Sequence, residues 1–281
     1  MIPPADDLLP RLDAANPLRL FLDYDGTLSD FAPTPDHVEP DPDLVALLRR
    51  LVAEPSIRTA ILSGRRLSHV QKLVPVPGIL LAGTYGLELQ TPAHDGPGRR
   101  IDRLDYGTIR PVLEAIKPRW AEFIAAGGSR ARPGFYLEDK GWSLAIHARF
   151  ADPGETEEVL VAARRFAAET IQAYEPGLFR LLGGHKFLEI GPCLAHKGRT
   201  IDYLLDLPPD HPAGYMAAWP DAPLLYLGDD DKDEEAFEVV QARGGIAIVV
   251  ACEPRPTHAD YRLQSPDDTR RWLRALLHYF P

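Results

Sequence analysis

Short apolar runs that each end in a polar or glycine cluster recur along the chain: Leu18 to Leu22 before Asp23, Thr59 to Leu62 before Ser63, Ile79 to Ala82 before Gly83, and Leu224 to Leu227 before Gly228. Runs this short and this apolar read as strands buried on both faces. Helical periodicity separates them. From Asp41 to Ala53, Leu44, Leu47, Leu48 and Leu51 fall on one face, Asp41 stands where an N-cap is needed, and Pro42 suits the first turn. A closing helix is predicted from the cap Ser265 and Pro266, with Trp272, Leu273, Leu276 and Leu277 on one side. Strand and helix in alternation predict a parallel sheet.

The rhythm changes between about Thr84 and His185. A helical stretch from Thr108 to Ala126 precedes two close-spaced strand runs, Phe135 to Glu138 and Trp142 to Ala148, which Asp139-Lys140-Gly141 joins as a hairpin. A second helix covers roughly Glu155 to Ala173, and Phe179 to Leu182 pairs with Lys186 to Ile190 across Gly183-Gly184. The expected organisation is therefore a discontinuous α/β core, residues 1–83 and 186–281, carrying an α+β insert over 84–185. Pro92 to Gly98 and Pro208 to Pro223 read as loops.

A chain of 281 residues with 45% hydrophobic residues can bury a core and a smaller second one. Its formal net charge of -10 argues against a nucleic-acid partner and favours a small or cation-bridged substrate. The two cysteines, Cys193 and Cys252, sit in apolar segments outside any CxxC pair, which reads as two reduced core thiols. The first residues carry no basic region leading into an apolar stretch, and no apolar run reaches membrane-spanning length. The expectation is a cytoplasmic protein without a membrane partner.

Ligands of open α/β sheets bind outside the carboxyl ends of the strands, and that rule selects the candidate chemistry. The first strand delivers Asp23 and Asp25 onto one loop, two residues apart, before Gly26 turns the backbone. One carboxylate can attack phosphorus to give an aspartyl phosphate, and the other can protonate the leaving alcohol and later take a proton from water. Attack of an anion on an anion needs charge neutralisation. Gly228-Asp229-Asp230-Asp231-Lys232-Asp233-Glu234, after another strand, offers Asp229 and Asp233 to Mg²⁺. Ser63, in Leu62-Ser63-Gly64-Arg65, offers a hydroxyl and turn amides to phosphoryl oxygens, and Lys197 offers a positive charge at a helix start. Each motif in isolation is commonly a turn, a solvated helix start or a surface charge. Their occurrence together at successive strand ends or helix starts is what carries the reading.

These residues resemble the haloacid dehalogenase (HAD) superfamily: Asp23-Tyr24-Asp25-Gly26-Thr27 matches its first motif, Ser63 its second, Lys197 its third, and Gly228-Asp229 to Asp233 its fourth. The resemblance implies a HAD-like Rossmannoid core with an inserted C2-type cap, Asp23 as nucleophile and Asp25 as general acid/base. It also implies metal held by the Asp23 side chain, the Asp25 carbonyl and Asp229. Nearly the whole chain is further similar to the trehalose-6-phosphate phosphatase family. The likeness includes Leu137-Glu138-Asp139-Lys140-Gly141, Lys186-Phe187-Leu188-Glu189-Ile190 and Tyr226-Leu227-Gly228-Asp229-Asp230.

That likeness implies cleavage of trehalose 6-phosphate, with Glu138, Lys140 and Glu189 on sugar hydroxyls and Thr27 and Arg65 also on substrate. A functional pairing with a glycosyl-phosphate synthase is a further implication. Two positions depart from the family pattern: Tyr85 stands where an Asn-His-Gly histidine is usual, and Lys232 where threonine is usual. Neither removes a catalytic group. The alternatives are a phosphatase for another glycosyl phosphate, such as a glucosyl- or mannosyl-glycerate or -glycerol phosphate, a phosphomutase, and a non-catalytic sugar-phosphate-binding module.

Overall fold

The computed structural model describes residues 2–12, 16–30, 39–93, 96, 98–127, 134–174, 177–184 and 186–280. Part of the loop expected from Pro92 to Gly98, and His185 at the expected insert boundary, lie outside them. The chain divides into two compact units, Met1–Arg103 with His196–Pro281, and Leu104–Ala195.

The first unit contains β1 (Leu18–Leu22), α1 (Pro42–Ala53), β2 (Ile57–Leu62), α2 (Leu67–Leu73), β3 (Leu80–Gly83), β4 (Glu88–Gln90) and β5 (Arg100–Asp102). The second unit follows with α3 (Tyr106–Gly127), β6 (Tyr136–Asp139), β7 (Leu144–His147), α4 (Pro153–Tyr174), β8 (Phe179–Gly184) and β9 (Phe187–Pro192). The chain then returns to the first unit as α5 (Lys197–Asp206), β10 (Leu224–Gly228), α6 (Asp231–Ala242), β11 (Ile246–Val250), β12 (Tyr261–Leu263) and α7 (Pro266–Tyr279).

The first unit's sheet runs β12-β11-β10-β1-β2-β3-β4-β5, parallel except for β4 and β5. All five residues of β1 are buried, because helices cover both faces. Leu18, Leu20 and Leu22 point into one apolar cluster with α1, α2 and α7, and Phe21 points into another with α5 and α6. That is the period-two alternation of a strand between two cores. The caps form as the sequence predicts. Asp41 accepts from the amides of Asp43 and Leu44, and Ser265 from that of Asp268.

The second unit is a four-stranded antiparallel sheet, β6-β7-β9-β8, with α3 packed against α4. Trp120 is fully buried and donates its indole N–H to the Ala163 carbonyl at 3.0 Å, which ties the two helices together. Gly141, at φ +82°, turns the β6–β7 hairpin.

Strand pairing distributes two segments differently from the sequence expectation. Residues after Thr84 still add β4 and β5 to the first sheet, where they cover the edge of β3. β9 belongs to the second unit's sheet, where it is paired on both sides by β7 and β8. The cysteine reading is corrected: Cys193 is half-buried and Cys252 is exposed. Cys252 follows the end of β11, so the apolar run that suggested burial has already left the sheet.

Candidate active site

The parallel register brings the sequence-predicted core residues to one edge. Leu22 lies opposite Ile61 on one side and Leu227 on the other, so Asp23, Ser63 and Asp229 emerge from neighbouring strands at the same end. The Asp23 amide donates to the Leu227 carbonyl at 2.9 Å and continues the ladder to the edge. There the loop turns at Gly26, φ +76°. A β-carbon at this position would stand 2.2 Å from an Asp229 carboxylate oxygen, so only glycine lets the first and fourth motifs meet.

Lys197 begins α5 and is 3% exposed. Its ammonium donates to Asp23 Oδ1 at 2.7 Å and to Asp233 Oδ1 at 2.5 Å. Asp233 also accepts from the Tyr226 hydroxyl, and its Oδ2 accepts from the amides of Asp229 at 2.9 Å and Asp230 at 3.0 Å. Both Asp233 oxygens are therefore committed to orienting Lys197 and the acidic loop. Tyr226 was not singled out in the sequence. Its signal was a lone hydroxyl in the strand Leu224-Leu225-Tyr226-Leu227.

Asp23, Asp229 and Asp233 can each place an oxygen within 4.8 Å of the others. Their electrostatics show what that proximity costs. Burial pushes the Asp23 carboxyl well above the usual range, Lys197 opposes this, and Asp233 and Asp229 push it further up. Burial, with Asp233 and Asp230, pushes Asp229 up to about 7. Burial pulls the Lys197 ammonium down, but Asp23 and Asp233 outweigh it and leave it well above the ordinary lysine value. One ammonium therefore serves a cluster of carboxylates that favours a further cation. Hard carboxylate oxygens on adjacent loops fit a divalent ion such as Mg²⁺.

The remaining predicted core residues lie around this cluster. Thr27 is fully buried and donates to Asp23 Oδ2 at 3.3 Å. Ser63 is also fully buried, and its hydroxyl accepts from the Arg65 amide at 3.1 Å, which shapes the turn. Arg65 grips Asp25 through two bonds of 2.7 Å. Tyr85 and Lys232 touch: the Lys232 ammonium donates to the Tyr85 hydroxyl.

In the second unit the sheet gathers Glu138, Lys140 and Glu189. Glu138 and Glu189 both lie opposite Ala145, so they share a face. Glu189 is 2% exposed and accepts from Ser143 Oγ at 2.7 Å and from Lys140 Nζ at 3.3 Å. Glu138 meets His147 Nε2 at 2.9 Å and lies 3.9 Å from Lys140. Burial would raise the Glu138 carboxyl, but His147 and Lys140 outweigh it and hold it below the usual range. Asp139, in the same hairpin, is held well below that range by the Arg110 fork, against partial burial and with help from Lys117.

The profile of the family described as Trehalose-phosphatase matches residues 21–267. A relative named Trehalose-phosphate phosphatase B, from Arabidopsis thaliana, is 30% identical over 92% of this chain and 66% of its own length. Another, Trehalose-phosphate phosphatase from Mycobacterium leprae, is 33% identical over 96% of this chain and 60% of its own length. The chain thus spans a little under two thirds of these two relatives. The solved structure of the C-terminal domain of C. albicans trehalose-6-phosphate phosphatase superposes with a TM-score of 0.77, at 20% identity, over 99% of each chain. The fold is HAD-like. With the profile match spanning both units, the chain belongs to the trehalose-phosphatase family, a family of phosphoric monoester hydrolases.

Proposed function

We propose that the protein hydrolyses trehalose 6-phosphate to trehalose and phosphate in two displacements at Asp23. The single observation that carries this reading is the Lys197 ammonium held between Asp23 and Asp233 at the carboxyl edge of the sheet. It fixes one Asp23 oxygen and leaves the carboxylate oriented for attack. Asp23 attacks phosphorus and forms the aspartyl phosphate as the bond from phosphorus to the sugar oxygen breaks, while Asp25, released from Arg65 and carrying a proton taken up from solvent, gives that proton to the departing sugar oxygen. Asp25 then takes a proton from the water that cleaves the acyl phosphate and restores both carboxyl groups. The Arg65 fork holds Asp25 in position, and its bonds have to loosen or turn toward substrate for the first proton transfer.

The Ser63 hydroxyl and the amides of its turn hold phosphoryl oxygens, and Lys197 offsets their charge. Asp23, Asp229 and the Asp25 carbonyl would hold Mg²⁺, which supplies Lewis-acid neutralisation of the phosphoryl group. Asp233, whose oxygens already accept from Lys197, Tyr226 and two amides, supports that set by fixing the Asp229 loop. Glu138, Lys140 and Glu189 supply recognition of sugar hydroxyls, and a polar site of this kind rejects substrates that lack them. Among the described residues no helix is long and apolar enough to cross a membrane.

The test is phosphate release from trehalose 6-phosphate and glucose 6-phosphate, with and without Mg²⁺, for wild type and Asp23→Asn. The expected result is Mg²⁺-dependent release that prefers the disaccharide and falls at least about a thousandfold in Asp23→Asn. Unchanged turnover in that variant sinks the mechanism, and equal rates on the two sugars sink the disaccharide preference.

A further inference from the structure

Tyr85 has an unusual backbone and an unusual set of neighbours. It sits at φ 55° and ψ 29°, directly after Thr84 at φ 49°. These are the two non-glycine residues with positive φ among the described residues, and left-handed backbone is sterically strained for a β-branched threonine and a bulky tyrosine. Surrounding bonds hold that conformation. The Thr84 amide donates to the Arg65 carbonyl at 2.7 Å, and the Tyr85 amide donates to the Ser63 carbonyl at 2.9 Å. The Thr84 hydroxyl donates to Glu88 at 2.8 Å, and the Tyr85 carbonyl accepts from Thr200 of α5 at 2.9 Å.

The strain aims the side chain. A β-carbon at Gly64 would stand 2.7 Å from the Tyr85 ring and 2.8 Å from its hydroxyl oxygen, so the ring lies flush against the turn that follows β2. Tyr85 is 8% exposed, and its hydroxyl accepts from the Lys232 ammonium, which lies 4.5 Å from the ring centre. Lys232 is in the first turn of α6, between the cap Asp230 and Asp233, the residue that grips Lys197 and the Asp229 amide. One side chain thereby spans the Ser63-Gly64-Arg65 turn and the first turn of α6.

We propose that Tyr85 and Lys232 act as one positioning unit, which locks the Ser63–Arg65 turn to the acidic loop before α6 and so sets the distance between phosphate donors and carboxylates. The proposal rests on the reading that this turn holds the phosphoryl group.

The test is a double-mutant cycle on the full chain with Mg²⁺, using Tyr85→Phe, Lys232→Met and the double variant. Orthophosphate affinity is read by calorimetry, and thermal melting is followed alongside. Tyr85→Phe keeps the ring on Gly64, and Lys232→Met keeps the aliphatic stem, so each variant removes the link with little loss of packing. Each single variant is expected to weaken orthophosphate binding about tenfold, and the double variant by the same about tenfold, because all three remove one interaction. Lys232→Arg should recover most of the loss while melting temperatures stay together, which a merely structural contact would not produce. Unchanged affinity in either single variant overturns the proposal, as does a double variant weakened about a hundredfold, the product of independent effects. Orthophosphate binding needs no turnover, so failure of this cycle is separable from failure of hydrolysis in the Asp23 experiment.

Discussion

The two units handle clustered carboxylates in opposite ways. In the first unit, Asp23, Asp229 and Asp233 lie close together beside one ammonium, and all are pushed up by burial and by neighbouring carboxylates, Asp230 among them. In the second, Glu138 and Asp139 are held down by His147, Lys140, Arg110 and Lys117, drawn from the same sheet and its covering helix. The first arrangement, with more carboxylates than its one ammonium balances, is compatible with a further cation. The second is already neutralised by its own side chains, which suits hydrogen bonding to uncharged hydroxyls.

The largest way to break this comparison is to remove the one cation of the first unit. Lys197→Met leaves Asp23 and Asp233 buried without their partner and is expected to cost about 3–5 kcal/mol in urea unfolding. A loss below about 1 kcal/mol would show that the cluster relaxes by protonation alone.

Next comes the pH response of the acidic loop. Asp229 is raised to about 7 when folded against about 3.9 when unfolded. Between those values the folded chain binds the proton more tightly, so metal-free stability falls as pH rises through that window. Mg²⁺ has to displace that proton, so its thermal stabilisation should grow as pH rises through about 7. Asp229→Asn should abolish most of that gain. A Mg²⁺ shift that is flat with pH would remove Asp229 from the cation's shell.

In the second unit a charge change should act on substrate rather than on chemistry. Glu189→Gln keeps an acceptor for Ser143 and removes the charge facing Lys140. It is expected to raise KM for trehalose 6-phosphate about tenfold with kcat little changed, the signature of lost uniform binding. A matching fall in kcat would bring Glu189 into the chemistry. The smallest effect is expected from Asp139→Asn. The native Asp139 value is depressed, so its contribution is present above the unfolded value near 4 and is lost as pH falls toward the folded one. The variant should flatten the acid limb of the melting curve by no more than about 1 kcal/mol, since the pair is partly exposed. A larger change would mean that Asp139 organises the hairpin itself.

Much of this was legible before any fold was known. Asp41 and Ser265 cap their helices because a short polar side chain before an apolar-periodic run has amides within reach in its own next turn. Asp23 and Asp25 could be named because strand alternation and a following glycine act within five residues. The acidic run could be read as a cation site, but its division of labour could not. Asp233 is spent on Lys197, Tyr226 and two amides, and only the packed strand β10 shows that.

The sequence by itself determined the alternation of strands and helices, the insert with its hairpin, the candidate acids and the lysine, because each is written in patterns a few residues long. Tertiary structure alone decided which groups share a charge, which strand borders which, and where the insert parts from the core. Lys197 meets Asp23 across 174 residues of chain, and Lys232 meets Tyr85 across 147. Such pairings follow from sheet order and helix packing, and no local periodicity encodes them.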